Sequence, residues 1–297
     1  MIEFYNKKRS LGSYIDPILI HTFCYHLAKS VVDKNGMPRK FAYRAANGYR
    51  LPVFDRLFYG VKQSELGKDI YIIDSKKPGK TVFYVHGGSY WTHITAFHYS
   101  FLRRLIKKTG GRVIIPVYPK APKHTYRDVY EMIGEAYQSA CEIYGKESIV
   151  LMGDSSGGGF VTAFALELSA KKEHVPPLIA ISPWLDLTCS NPAIAEINDP
   201  WLDVATLRTC GRYYAGGRDI HDPLLSPIYA KELALGKTYV FIGTYDVLYP
   251  DCLKLHAANN NINLYIYPAM DHVFPIYPFG AESLDALDKI ARITSSL

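Results

Sequence analysis

The chain has 297 residues, 48% of them hydrophobic and 21% charged, with 22 Gly and 18 Pro. That is an ordinary globular composition, with room for one large core and a smaller appendage, and at this length a chain buries about three quarters of its unfolded surface, so no disulfide or structural metal is needed. The 34 Lys+Arg and 28 Asp+Glu leave a net charge of +6, spread without the concentrated basic stripe that a nucleic-acid partner requires.

The N-terminal stretch carries Glu3 and the cluster Lys7-Lys8-Arg9, and its apolar part is short and broken by His21 and His26. It reads as neither a secretory signal nor a stable membrane insertion. Residues 1 to about 60 mix small apolar clusters (Ile15, Ile18, Leu19; Phe23, Leu27) with Pro17, Pro38 and Pro52, which predicts short helices and loops, an accessory cap layer over 1–65. From Ile70 the pattern changes. Short β-branched or aromatic runs, at Ile70–Ile73, Thr81–Val85, Val113–Val117, Ile149–Met152, Leu178–Ile181, Tyr239–Ile242 and Asn263–Tyr267, alternate with stretches of helical length. This alternation predicts the α/β class, a mostly parallel central sheet with helices on both faces.

Between Arg127 and Tyr144 the apolar residues Val129, Met132, Ile133, Ala136, Tyr137 and Ala140 recur at three and four, one buried helical stripe, whereas Phe160–Leu168 is apolar almost all round and belongs between the sheet and other elements. Residues 190–220 interrupt the alternation with Asn191-Pro192, Asp199-Pro200 and Gly216-Gly217 around a helical segment at Pro200–Tyr214. They read as a cap insertion that divides the core into 66–189 and 221–297. Folded over the C-terminal strand edge together with 1–65, it would cover the crevice where open α/β sheets place their ligands.

Three places carry chemistry. Ile149–Met152 runs into Gly153-Asp154-Ser155-Ser156-Gly157 and then the apolar helix, a G-x-S-x-G in strand–turn–helix context. The turn forces the central serine into a sharp, strained backbone, and flanking glycines leave room for neighbouring chain. Ser155 is therefore the candidate nucleophile. A phosphate loop fails, because Lys231 and Asp74 stand where the two Gly-Lys-Thr sites would need their first Gly, and no G-x-G-x-x-G is present. Sixty-nine residues before Ser155, Thr81–Val85 ends in His86-Gly87-Gly88. Backbone N–H groups aimed at a developing oxyanion suit such a loop, so Gly87 and Gly88, with Ser156, are the candidate oxyanion-hole donors, and His86 orders the loop through hydrogen bonds.

At the C-terminal end, Asp246 and His272 each follow a strand end, at the same sheet edge as Ser155 and in the chain order Ser, Asp, His. A serine needs a general base, and its imidazole needs a carboxylate to hold its tautomer. Asp251, at the start of the next helix, is expected in an N-terminal capping role, and Asp271 to point away from the histidine. The five Cys contain no C-x-x-C pair, the other His are expected to be structural or exposed, no metal or cofactor site is visible, and the scattered Cys suit a reducing, cytoplasmic setting.

Together these residues resemble the hormone-sensitive-lipase-like branch of the α/β-hydrolase superfamily, with its HGG loop and GDSSGG elbow, over roughly 66–297. Tyr118-Pro119-Lys120-Ala121-Pro122-Lys123-His124 looks like the family's Y-R-L-A-P-E-H segment, and Asp222-Pro223 with Ser226-Pro227 looks like its DP…SP loop. Three positions depart from the pattern: Ser89 stands where many members have a third Gly, and Lys120 and Lys123 replace the usual Leu or Arg and Glu. The resemblance implies an α/β-hydrolase fold with a helical cap and a serine esterase or lipase acting on small or short-chain acyl esters, with no cofactor. Amide, carbamate or peptide hydrolysis by the same triad, and ligand binding without turnover, remain the alternatives. It also implies pairing through an edge strand or the cap. Asn263–Tyr267, short and rich in Tyr, offers such an edge, so a homodimer is an expectation.

Overall fold

The computed structural model describes residues 1–14, 49–259 and 261–297. The apolar clusters expected at Ile15–Leu19 and Phe23–Leu27, with His21, Cys24 and His26, lie outside the described residues. Among the described residues nine strands form one sheet: β1 (Ile2–Phe4), β2 (Lys62–Gln63), β3 (Ile70–Asp74), β4 (Thr81–Val85), β5 (Arg112–Pro116), β6 (Ile149–Asp154), β7 (Leu178–Ile181), β8 (Thr238–Gly243) and β9 (Ile262–Tyr267). Their order is β1-β9-β8-β7-β6-β4-β5-β3-β2. From β1 to β5 every pairing is parallel, and only the contacts of β3 with β5 and of β2 with β3 are antiparallel.

A parallel sheet covered on both faces needs strands that are apolar at every position, and β4, β6 and β7 are buried throughout. Successive side chains of β4 divide between two cores: Phe83 and Val85 pack with α3 (Tyr126–Tyr144) and α4 (Ser155–Ala170), while Val82 and Tyr84 pack with α2 (Ala96–Thr109) and α7 (Gly280–Ser296). α3 opens with a capping box, Thr125 N–H donating to Asp128 Oδ2 at 2.8 Å. Further helices are α1 (Val53–Phe58), α5 (Val204–Ala215) and α6 (Tyr249–Ala258). No helix among the described residues is long and apolar enough to cross a membrane.

The start of α5 and the place of β9 in the sheet differ from the sequence expectation. α5 begins at Val204 rather than Pro200, because Asp199 Oδ1 takes the N–H groups of Trp201 and Leu202 at 2.7 and 2.8 Å in a turn. Asp203 then caps the helix by accepting from Thr206 N–H at 2.8 Å. β9 is not an edge. β1 pairs with it in register from Ile2 with Leu264 to Phe4 with Ile266, and Lys289 Nζ fastens that strand through Glu3 at 2.8 Å. Three residues that close a sheet so far from it in sequence give too short a pattern to be read as a strand.

Gly157 shows how tightly α4 sits on the sheet. A Cβ at this position would collide with the Val85 carbonyl oxygen, backbone at the end of β4 that cannot swing away. Gly157→Ala is expected to lower stability by about 3 kcal/mol or to yield no soluble protein. Thermal unfolding beside the wild type checks it.

Candidate active site

The strands β4, β6, β8 and β9 end at one edge of the sheet, and each is followed by a polar loop: His86-Gly87-Gly88, Asp154-Ser155, Thr244–Asp246 and Ala269–His272. Parallel pairing places all four loops side by side. Ser155 has φ +51°, the strained conformation expected where a strand turns at once into a helix. Its hydroxyl donates to His272 Nε2 at 2.9 Å, and His272 Nδ1–H donates to Asp246 Oδ2 at 2.8 Å. The structure therefore brings Ser155, His272 and Asp246 into one hydrogen-bonded line, all three buried.

The second oxygen of Asp246 accepts from Leu248 N–H at 2.9 Å, which holds the carboxylate plane. Ser182, at the end of β7, accepts from Val273 N–H at 3.0 Å and fixes the loop that carries His272. Burial opposes a charge on His272, but the adjacent Asp246, with Asp199 and Asp154 farther off, outweighs it and lifts the imidazole above its ordinary value of 6.5. Asp251 is not the helix cap expected of it. Its Oδ1 accepts from Asn191 Nδ2 at 2.9 Å within the first turn of α6, and burial pushes its carboxyl up to about 6. Asp271 is buried beside the histidine, whose ring bonds Asp246 instead.

The donors around Ser155 divide differently from the expectation. Gly87 N–H is already committed, donating to Asp154 Oδ1 at 2.9 Å, so it is not free to receive an oxyanion. Among the described residues the N–H groups of Gly88 and Ser89 have no acceptor. Gly88 has φ +114°, a value that a side chain would strain, and Ser89 follows at +54°. Ser156 lies in the first turn of α4, where N–H groups lack intrahelical partners, and no side chain caps that helix. The helix dipole favours negative charge at the same point. Gly88, Ser89 and Ser156 are thus the donors left open beside Ser155.

Asp154, next to Ser155, is a residue that sequence reasoning passed over. It is 2% exposed and accepts from Tyr84 Oη at 2.6 Å as well as from Gly87, while its other oxygen meets His98 Nε2 at 3.3 Å. Burial works against its charge, yet His98 and these donors win and hold the carboxyl below the ordinary carboxylate range. The residue between Gly153 and Ser155 therefore ties the HGG loop to the strand that leads into Ser155. Tyr90 adds a second tie, its N–H donating to Ser156 Oγ at 3.3 Å and its hydroxyl to Ser156 O at 2.9 Å.

From the segment 190–220, Trp201 packs edge-on against His272 with ring centroids 5.6 Å apart, and Asp199 Oδ2 accepts from Val247 N–H at 3.0 Å, next to Asp246. Burial, and then Asp246, pushes the Asp199 carboxyl up to about 6. Nothing in the sequence pattern singles out either residue. Among the described residues no group of three His, Cys, Asp or Glu could hold a metal ion.

A family model described as the alpha/beta hydrolase fold matches residues 82–276. An acetyl-hydrolase of Streptomyces hygroscopicus is 26% identical over 274 residues, 86% of this chain and 89% of its own. A triacylglycerol lipase of Mycobacterium tuberculosis is 26% identical over 181 residues, 60% of this chain but 37% of its own length. Among solved structures, a putative esterase from Staphylococcus aureus is similar with a TM-score of 0.82 and 27% identity, covering 92% of this chain and 97% of that one. The hormone-sensitive-lipase homologue EstE7 from a metagenome library gives a TM-score of 0.76 at 25% identity over 95% of this chain and 98% of its own.

Proposed function

The chain belongs to the alpha/beta hydrolase fold family, in its hormone-sensitive-lipase-like branch of esterases and lipases, and on that premise we propose that it is a serine carboxylic-ester hydrolase working through an acyl-enzyme on Ser155. The observation that carries the reading is the unbroken line from Ser155 Oγ through His272 to Asp246, at 2.9 and 2.8 Å. In this reading His272 takes the Ser155 proton as the hydroxyl attacks the ester carbonyl, then returns it to the leaving alcohol as the tetrahedral intermediate collapses. Water repeats the cycle and releases the acid. Gly88, Ser89 and Ser156 donate to the oxyanion, which is the largest stabilising term such a site offers. Asp246 holds the ring and offsets the imidazolium charge.

Residues 190–220 serve as part of a cap over the site, a role supported by the seat of Trp201 on His272. The substrate is a small or short-chain acyl ester. Fully buried Trp184, whose backbone N–H donates to Ser155 O at 2.9 Å, and fully buried Tyr90, stacked on Tyr214 with centroids 3.5 Å apart, pack beside the turn that carries Ser155, which supports a small acyl group.

The test is hydrolysis of nitrophenyl acetate as a function of pH, with the matching anilide for comparison. The base must be neutral, and the surrounding carboxylates raise the His272 pKa, so more base is needed to free it and the acid limb lies above 6.5. A rate that stays flat between about pH 5 and 8 removes His272 as the base. Faster turnover of the anilide than of the ester sinks the ester reading.

A further inference from the structure

The loop that carries Gly88 is held from behind by a buried polar chain that the ester chemistry does not use. His86 Nδ1 lies 2.6 Å from the Gly87 carbonyl oxygen, and His86 Nε2 lies 3.1 Å from Lys120 Nζ. Lys120 is 3% exposed, donates also to Tyr118 O at 2.7 Å, and stands 3.0 Å from the centroid of the Tyr118 ring. That ring stacks on His86, centroids 4.6 Å apart, and its hydroxyl donates to His86 O at 2.8 Å. Among the described residues no carboxylate pairs with Lys120.

The proton positions follow from valence. A carbonyl oxygen only accepts, so His86 Nδ1 carries the proton facing Gly87, and in a neutral ring Nε2 is then the acceptor. Burial and the neighbouring Lys120 hold the His86 imidazole well below its ordinary range, so the ring is neutral. The opposite tautomer would leave the Gly87 oxygen unmet, and, with burial lowering the Lys120 pKa, it would need the amine to turn a lone pair to Nε2–H while still donating to Tyr118 O. The Gly87 C=O and the Gly88 N–H are the two ends of one planar peptide unit, so anchoring the oxygen sets the direction of the N–H.

We propose that Lys120 is a positioning residue: by donating to His86 Nε2 it fixes the Nδ1–H tautomer that anchors the Gly87 carbonyl, and so aims the Gly88 N–H at the oxyanion. The inference rests on the ester-hydrolase reading for its catalytic consequence, but the tautomer stands apart from it. A lysine buried without a carboxylate lowers stability, so packing alone gives no reason for it here.

The experiment uses the full chain as Lys120→Leu and Lys120→Met. Long-range ¹H–¹⁵N spectra of the imidazoles should show His86 as the Nδ1–H tautomer in the wild type and as a mixed or Nε2–H ring in the variants. With nitrophenyl acetate, kcat should fall about tenfold, less than the loss of a whole oxyanion donor, while KM stays within about twofold. The Tm should equal or exceed that of the wild type. A wild-type ring protonated at Nε2, a ring that keeps Nδ1–H in both variants, or a folded variant with wild-type kcat overturns the proposal. If the wild type turns over no ester, the hydrolase reading fails while the spectra still decide the role of Lys120. If neither variant folds, the wild-type spectrum still tests the contact: a ¹⁵N shift of His86 Nε2 typical of a hydrogen-bonded acceptor supports the proposal, and a free or protonated Nε2 overturns it.

Discussion

Ser155→Ala should lose turnover by a factor on the order of 10⁶ in kcat while the fold stays intact. Among the described residues the hydroxyl makes one hydrogen bond, to His272 Nε2 at 2.9 Å, and the strained φ of +51° is imposed by the junction of β6 and α4, not by the side chain. Removing Oγ therefore deletes the nucleophile with a stability change of at most about 1 kcal/mol. Intact mass after exposure to a fluorophosphonate reads this without a chosen substrate: one adduct on the wild type, none on the variant. An adduct that persists on Ser155→Ala would move the nucleophile elsewhere. The adjacent Ser156 is a poor substitute, because it is fully buried and its hydroxyl accepts from Tyr90 N–H at 3.3 Å. A folded wild type that takes no adduct would return the chain to the ligand-binding alternative.

Much of this site can be read from sequence because its parts follow strand ends. Parallel strands put their C-terminal loops on one edge, so the order Ser155, Asp246, His272 already implies that they meet. Who donates to whom is less accessible. Gly87 looks equivalent to Gly88 in the motif, yet Asp154, at the end of the neighbouring strand β6, takes its N–H at 2.9 Å, and only the paired sheet reveals that contact. Asp251 follows the same logic: its place in the first turn suggests a cap, while its carboxylate turns to Asn191, 60 residues away. β1 and the Asp199–Trp201 turn escape the sequence reading for a different reason. Each is a few residues long, with no periodicity, and its meaning comes from the distant partner it meets, β9 in one case and His272 in the other.

Two of the carboxylates near His272, Asp246 and Asp199, should separate sharply on substitution. Asp246 touches the ring, Oδ2 to Nδ1 at 2.8 Å, whereas Asp199 uses its oxygens on the N–H groups of Trp201, Leu202 and Val247. Asp246→Asn keeps the shape but can turn an amide N–H toward Nδ1, so the ring shifts its proton to Nε2 and can no longer accept from Ser155. A fall in kcat of about 10⁴-fold is expected, with little change in KM. Asp199→Asn leaves the tautomer alone and keeps an oxygen for Val247, so kcat should stay within about tenfold of the wild type. Its signature is in the pH profile instead. Asp199 is among the charges that raise the His272 pKa, so neutralising it lowers that pKa, frees the base at lower pH, and moves the acid limb down. Measured side by side, a larger loss from Asp199→Asn than from Asp246→Asn would reassign the orienting carboxylate. The opposite order, with the limb shifted in Asp199→Asn, would show one carboxylate setting the tautomer and the other only the pH at which the base is free.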